Sequence, residues 1–241
     1  RETEETLKKL EKLLRKMLEV SKRLNEEDEK LLRTKRKLIE DLLRRVEELL
    51  EETRRVVSNT TDERVLRRAD EVLDEVRKIV EDVERAVEEA LREVERVNEE
   101  IIRKNEELVE RVKTVLERIR RIREKEKILR ALKEVVEILK EALEENLKAV
   151  RKSIEIHRKV IELLVRLVER IVKILREILE EVVDDKDLVE TLKRKLDKLL
   201  RDIRELAKDY KRKLDRLLED VERLHRELKK ELDELLKEVK D

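Results

Sequence analysis

The residues best suited to chemistry in this chain are two histidines and one tyrosine, set among 65 acidic and 65 basic side chains. Glu222 and His225 have the Glu-x-x-His spacing with which facing helices of a bundle hold a pair of metal ions. Such a site needs the motif twice, and Glu155 precedes the other histidine, His157, by only two positions. The sequence therefore predicts no metal site.

Motifs for nucleophiles and phosphate loops are also missing. The chain has no Cys and no Gly, whereas thiol nucleophiles need Cys, and phosphate loops and nucleophile elbows need Gly. Most carboxylates stand three or four residues from a Lys or Arg, which is the spacing of ion pairs on a solvated helix face. We expect no catalytic residue, no cofactor, no small-molecule substrate and no enzymatic activity.

Charge and aromatic content argue against nucleic acid and membrane as partners. Net charge is zero, with both signs interspersed, and a lone Tyr without Phe or Trp offers no platform for stacked bases. The N-terminal "RETEETLKKL" lacks the apolar core of a signal peptide. We expect a soluble chain without a natural location, cytoplasmic if expressed recombinantly. The most apolar stretch, residues 160–183, is not expected to span a membrane because charges interrupt it, namely Glu162, Arg166, Glu169, Arg170 and Lys173.

Composition and periodicity predict helices. The chain is 54% charged and 39% apolar, with no Gly and no Pro, a composition typical of long helices and coiled coils. Apolar residues recur at three- and four-residue steps, in columns that step by seven, as in helices packed side by side. The predicted fold class is all-α, a long antiparallel helical bundle or coiled coil forming one elongated unit over residues 1–241.

The first turn signal lies within "VVSNTTDERV", residues 56–65. Ser58 and Asn59 can end a helix, since Asn tolerates the left-handed conformation. Thr60 and Glu63 have the spacing of a capping box, with Asp62 near the positive helix end. This signal predicts a first helix over about 2–58.

The second turn signal lies within "EVVDDKDLVE", residues 181–190. Asp184 and Asp185 precede a new helix, and Asp187 falls in its first turn, where a negative charge is favourable. This signal predicts a last helix over about 186–240.

The segment between these turns has no comparable signal. Residues 121–130, "RIREKEKILR", contain mostly strong helix formers, and Ile122 and Leu129 are seven apart. The preferred prediction is one unbroken helix over about 61–183, roughly 185 Å long at 1.5 Å per residue, and hence short, long and short helices in order. The alternative is a tight turn near Glu124–Glu126, which gives a monomeric four-helix bundle.

The amount of apolar surface bears on assembly. A two-stranded seam needs about 29% apolar residues, and this chain has 39%. An unbroken middle helix would leave apolar surface uncovered, so we expect a homo-oligomer, a dimer or higher. If the middle segment turns, the same four-helix cross-section forms within one chain.

Several polar residues interrupt the apolar columns. An unpaired buried Asn or Ser costs about 1–3 kcal/mol, so these side chains are expected to pair in a structural network that sets helix register. Folding about the turns places them at common levels, with four expected neighbour pairs: Ser21 with Asn98, Asn98 with Asn146, Asn146 with His225, and His157 with Tyr210. The predicted network comprises Ser21, Asn25, Asn98, Asn105, Asn146, Ser153, His157, Tyr210 and His225.

Over its full length the chain resembles computationally designed helical bundles with buried hydrogen-bond networks. The resemblance rests on the Glu/Lys/Arg surface, the Leu/Ile/Val core, the glycine-free turns "SNTTDE" and "VDDKD", and stretches such as "VRKSIEIHRKVIELL". It implies an architectural role as a self-assembling scaffold, with no natural biochemical activity. Two alternatives stay open: a module that binds a separate designed helical partner, and a bundle loosened near pH 5 by protonation of His157 and His225.

Overall fold

The computed structural model describes residues 2–59 and 62–240, and within them the chain forms helices and no strand. The helices pack against each other as a bundle, so the all-α prediction is confirmed. Their bounds are α1 Glu2–Ser58, α2 Glu63–Arg121, α3 Lys125–Val182 and α4 Lys186–Lys240. The bounds predicted for the first and last helices agree with α1 and α4.

The prediction of an unbroken helix over 61–183 is wrong, because residues 122–124 are not helical. The Ile122 amide donates to the Ile119 carbonyl at 3.2 Å as α2 ends, and the Ile128 amide donates to the Glu124 carbonyl at 3.2 Å as α3 begins. The alternative, a turn near Glu124–Glu126, is the one observed, and all four helices therefore belong to one chain.

The buried columns of α2 and α3 are only partly in phase across this turn. Val115 and Val136 are both buried and 21 residues apart, which is three heptads, so one column continues through the turn. Ile119 and Leu132 are also buried, and they are thirteen residues apart, one fewer than two heptads. The apolar pattern alone therefore does not explain why the chain turns at 122–124.

Aspartates cap the helices that follow the other two turns. Asp62 Oδ1 accepts a hydrogen bond from the Arg64 amide at 3.1 Å. Asp185 Oδ1 accepts from the amides of Asp187 and Leu188 at 3.2 and 3.4 Å. Each carboxylate satisfies amides of the first helical turn and lies at the positive end of the helix dipole.

The end of α1 differs from the expectation. The Asn59 amide donates to the Val56 carbonyl at 3.4 Å, and no residue in the described ranges has a positive φ, so Asn59 does not end the helix in the left-handed conformation. Thr60 lies outside the described residues, and so does the predicted Thr60–Glu63 capping box.

The chain divides into two compact units, each containing part of every helix. Unit 1 consists of Arg1–Lys30, Glu93–Glu155 and Leu214–Asp241, and unit 2 consists of Leu31–Arg92 and Ile156–Lys213. The prediction of a single elongated unit over residues 1–241 stays a prediction.

Surface ion pairs identify the neighbouring helices within each unit. In both units α1 contacts α2 and α4, and α3 contacts α2 and α4, so α1 and α3 face each other across the interior. Exposed pairs of this kind contribute about 0–1 kcal/mol each, so they report the arrangement more than they stabilise it. The pairs in unit 1 are Arg120–Glu11, Arg118–Glu134, Arg151–Glu222 and Lys9–Glu238, and those in unit 2 are Arg54–Asp70, Arg68–Glu181, Arg204–Glu169 and Lys195–Glu52.

The wide apolar face of α3 is covered within the chain. Among the described side chains of residues 160–183, Leu163 is the one exposed apolar residue, at 37%, and the other apolar residues are buried or half-buried. The uncovered surface that motivated the homo-oligomer therefore does not exist in this stretch. Within residues 2–59 and 62–240, no helix has an apolar stretch long enough to cross a bilayer.

Candidate functional site

The chain's most specific polar contacts lie inside the bundle, where side chains of α1, α2 and α3 meet. The first group, here layer 1, joins Ser21, Asn105 and Asn146 in unit 1. Asn105 Nδ2 donates to Ser21 Oγ at 2.8 Å and to Asn146 Oδ1 at 3.1 Å. Ser21 Oγ also donates to Asn146 Oδ1 at 3.2 Å. Three helices are thus held at one level by their side chains.

Layer 1 leaves no amide hydrogen without a partner. Asn146 Nδ2 donates to Asn105 Oδ1 at 3.1 Å and to the carbonyl of Ala142, one turn earlier in α3, at 2.7 Å. Both hydrogens of each Asn amide are therefore used. Because an unsatisfied buried amide costs about 1–3 kcal/mol, the complete set of partners makes these residues tolerable in an apolar interior.

Layer 2 lies one heptad further along α1 and centres on a buried carboxylate. Asp28 Oδ2 accepts a hydrogen bond from Asn98 Nδ2 at 2.6 Å and from Ser153 Oγ at 3.0 Å. Asp28 is only 7% exposed. Two donors thus satisfy a carboxyl oxygen in the interior, as buried polar groups require.

Layer 3 lies one further heptad along α1, in unit 2, and joins Lys35 to His157. Lys35 Nζ lies 2.6 Å from His157 Nδ1 and donates to the His157 carbonyl at 3.0 Å. Which atom donates in the Nζ–Nδ1 contact depends on the imidazole tautomer. Lys35 is 3% exposed and His157 is fully buried, so layer 3 places two titratable side chains in the interior of unit 2.

Tyr210 on α4 borders layer 3 through its ring. Lys35 Nζ lies 5.6 Å from the ring centroid and Lys213 Nζ lies 5.8 Å from it, within the range of cation–π attraction. Burial raises the pKa of Tyr210 to about 12, because desolvation disfavours the phenolate. Its hydroxyl has no hydrogen-bond partner within the described residues.

His225 lies on α4 in unit 1 and is half-buried. Burial lowers its pKa; Glu144 opposes this effect, whereas Lys229 and Arg151 add to it. His225 Nε2 has no hydrogen-bond partner among the described residues. The Glu222 carboxylate of the Glu-x-x-His spacing accepts instead from Arg151 at 3.1 Å on the surface. No three His, Asp or Glu side chains of the described residues cluster closely enough to hold a metal ion.

Two of the expected neighbour pairs are wrong by one heptad. Ser21 contacts Asn105 instead of Asn98, and Asn146 contacts Asn105 instead of Asn98. Asn98 pairs with layer 2 through Asp28. The three-residue turn at 122–124 and the four residues between α1 and α2 set the offsets between the helices. The prediction placed the centre of each turn a few residues too early, and it therefore paired the wrong residues.

The other two expected pairs fall at the levels predicted. Asn146 and His225 line one small cavity in unit 1, and His157 and Tyr210 both contact Lys35 in unit 2. Asn25 is half-buried and belongs to none of the three layers. The structural role predicted for all of these residues stays a prediction.

Sequence reasoning missed Asp28 and Lys35, the charged members of layers 2 and 3. Both continue the α1 column of Leu7, Leu14 and Ser21 at seven-residue steps, and that periodicity was the signal that could have found them. They were overlooked because Asp and Lys are almost never fully buried unless paired, and the chain is rich in both.

No protein-family model, no curated protein and no solved structure matches the sequence or the fold.

Proposed function

We propose that this chain is a structural scaffold, a computationally designed single-chain four-helix bundle whose buried polar layers fix the register of its helices and which has no natural biochemical activity. One observation carries the proposal. Ser21, Asp28 and Lys35 stand at seven-residue steps on α1, and each contacts polar groups on other helices. Such placement serves helix pairing.

The physical role of the layers follows from the ambiguity of heptads. Apolar columns that repeat every seven residues pack almost equally well after a slip of one heptad. In unit 1, a slip that brings Ser21 opposite Asn98 also brings Leu14 opposite Asn105 and Asn146. Those two amides would then lose their α1 partner, at a cost of about 1–3 kcal/mol for each unsatisfied group. The layers thus disfavour registers that the apolar residues alone would permit.

We further propose that a single copy is the functional unit. The sequence predicted a homo-oligomer because an unbroken middle helix would have left apolar surface uncovered. The turn at 122–124 supplies all four helices from one chain, and large apolar side chains exposed among the described residues are limited to Ile102, Leu163 and Leu188. For the same reason the chain offers little surface for a separate helical partner. Light scattering should give a mass near 29.3 kDa, and a stable dimer would restore the homo-oligomer.

The register role is tested by removing the polar side chains from α1. A triple variant, Ser21→Leu, Asp28→Leu and Lys35→Leu, should be less stable than the native chain, because the polar groups of α2 and α3 in each layer lose their α1 partner. It should also show more than one set of amide resonances or more than one mass. A matched control, Leu7→Ile, Leu14→Ile and Leu42→Ile, alters the same column without polar change and should keep one state. A triple variant with a single state identical to the native one would reject the proposal.

An acid response is a second candidate, favoured by layer 3. His157 Nδ1 lies 2.6 Å from Lys35 Nζ, and protonating the ring would place two cationic groups in contact. His225 acts in the same direction. Because burial lowers its pKa, its contribution to stability is complete above the unfolded value of about 6.5 and is lost as the pH falls below it.

The acid response is checked by thermal melts and mass measurement between pH 7.5 and 4.5. The native chain should melt at a lower temperature at pH 4.5. His157→Gln, whose side-chain oxygen can accept from Lys35 without titrating, should lose most of that dependence, whereas His225→Gln should lose only a smaller part of it. Unchanged melting, helicity and mass across this range in the native chain would rule the response out.

A further inference from the structure

Two small cavities, one in each unit, lie beside ring residues of α4 and are partly open to solvent. In unit 2 the cavity has a volume of about 20 Å³, and its lining includes Lys35, Ala207 and Tyr210. In unit 1 the cavity has a volume of about 30 Å³, and its lining includes Ser21, Asn146 and His225. Both are bounded by α1, α3 and α4, and the rest of each lining is apolar.

The same two ring residues carry polar atoms that lack partners within the described residues. Tyr210 Oη and His225 Nε2 are both shielded from solvent and accept or donate no hydrogen bond. Tyr210 is only 5% exposed. Leaving such an atom without a hydrogen bond costs about 1–3 kcal/mol. Two of them would considerably lower the stability of a fold whose polar layers are otherwise well paired.

Size and chemistry of the cavities fit one particular ligand. A cavity needs about 10–15 Å³ to hold one water molecule, together with two or more polar partners. Both volumes exceed that requirement and neither approaches the size of a larger ligand. Tyr210 and Lys35 supply polar groups in unit 2, and His225 and Ser21 supply them in unit 1.

We propose that each cavity binds one water molecule, which connects α4 to the polar layers of the interior. In unit 2 the water accepts from Lys35 Nζ and exchanges a hydrogen bond with Tyr210 Oη. In unit 1 it bonds His225 Nε2 and donates to the remaining lone pair of Ser21 Oγ, which already donates to Asn146 and accepts from Asn105. The waters bring α4 into polar contact with layers whose direct hydrogen bonds join α1, α2 and α3. This inference does not depend on the proposed function.

A high-resolution crystal structure of the full chain tests the inference directly. We expect a single ordered peak within about 2.7–3.2 Å of Tyr210 Oη and another within that distance of His225 Nε2. Cavities without density, in maps that show ordered water elsewhere on the protein, would overturn it.

Tyr210→Phe provides an independent test in solution. If Oη bonds a water, removing it forfeits that bond, and the unfolding equilibrium constant should rise by about twofold to tenfold. If the hydroxyl is buried in a dry cavity, its removal relieves an unsatisfied group, and the unfolding constant should fall. A fall would overturn the inference. Because Tyr210 is the only Tyr and the substitution keeps the ring, folding of the variant is not at issue.

Discussion

Helices α1 and α4 are neighbours of similar length, yet they present different faces to the interior. The α1 column changes from Leu7 and Leu14 to Ser21, Asp28 and Lys35 before returning to apolar residues. The interior face of α4 is mainly leucine, and Leu196, Leu199 and Leu214 are almost fully buried. Its two ring residues, Tyr210 and His225, are the exceptions. Burial of leucine supplies free energy without direction, because the hydrophobic effect is proportional to area. Hydrogen bonds supply direction and little net free energy. Both helices therefore contribute buried apolar area, whereas the direct hydrogen bonds of the three polar layers involve α1 and not α4.

The largest expected effect comes from shortening buried leucines on either helix. Leu199→Ala on α4 and Leu10→Ala on α1 each remove a side chain that is 0% exposed. Each should lower the free energy of unfolding by about 2–5 kcal/mol, through lost transfer energy and the cavity left behind. Chemical denaturation gives the values, and both variants should keep a single set of amide resonances. A loss of the single state in Leu199→Ala would contradict the assignment of register to α1.

The next effect comes from Tyr210, where α4 meets the charged part of α1. Its native pKa of about 12 exceeds the unfolded value of about 10, so the neutral form stabilises the fold below pH 10, and this contribution is lost as the pH rises through 12. Tyrosinate absorbance at 295 nm follows this single Tyr, and the stability of Tyr210→Phe at the same pH values separates its titration from that of lysines. A midpoint near 10 in the folded chain would contradict its burial.

A smaller effect is expected when one layer is broken. Asn105→Leu leaves both Asn146 and Ser21 without their α2 partner, and it should cost about 1–3 kcal/mol for the unsatisfied groups, partly offset by the buried leucine. Val112→Leu, one heptad along the same column, is the matched control and changes packing alone. Denaturation midpoints compare the two. A variant at Asn105 that is more stable than the native chain and keeps a single state would show that layer 1 is dispensable.

The smallest effect is expected at the surface between α1 and α4. Lys9 Nζ and Glu238 Oε2 are 3.0 Å apart, with both side chains more than half exposed. Lys9→Ala should change the free energy of unfolding by at most about 1 kcal/mol, and less at high salt. Melting curves in low and high salt check this, and a loss above 2 kcal/mol would show that surface charge holds α4 in place.

Much of the fold was predictable because it follows from local chemistry. The aspartates before α2 and α4 predict a turn at each of these positions, and the apolar columns predict a helical bundle. The third turn contains no residue that predicts a turn, because Ile122, Arg123 and Glu124 are all compatible with a helix. The apolar columns gave no clear signal either, because Ile119 and Leu132 are one residue short of two heptads whereas Val115 and Val136 are three heptads apart.

The polar layers were predictable by position and only partly by partner. Asn98, Asn105, Asn146 and Ser153 interrupt apolar columns visibly, because Asn and Ser are rare in this chain. Asp28 is indistinguishable by type from dozens of surface carboxylates. Which side chains meet depends on the offset between helices, and that offset is set by turn lengths that the sequence does not state.

Distances between spin labels on α1 and α2 test most directly whether the polar layers set register. The chain has no Cys, so labels at Lys12→Cys and Glu99→Cys, both exposed positions of unit 1, report without background. We predict one narrow distance distribution in the otherwise native chain. Replacing Ser21, Asp28 and Lys35 with leucine should add populations displaced by about 10 Å, the length of one heptad of helix. One unchanged narrow distribution in that variant would contradict the account.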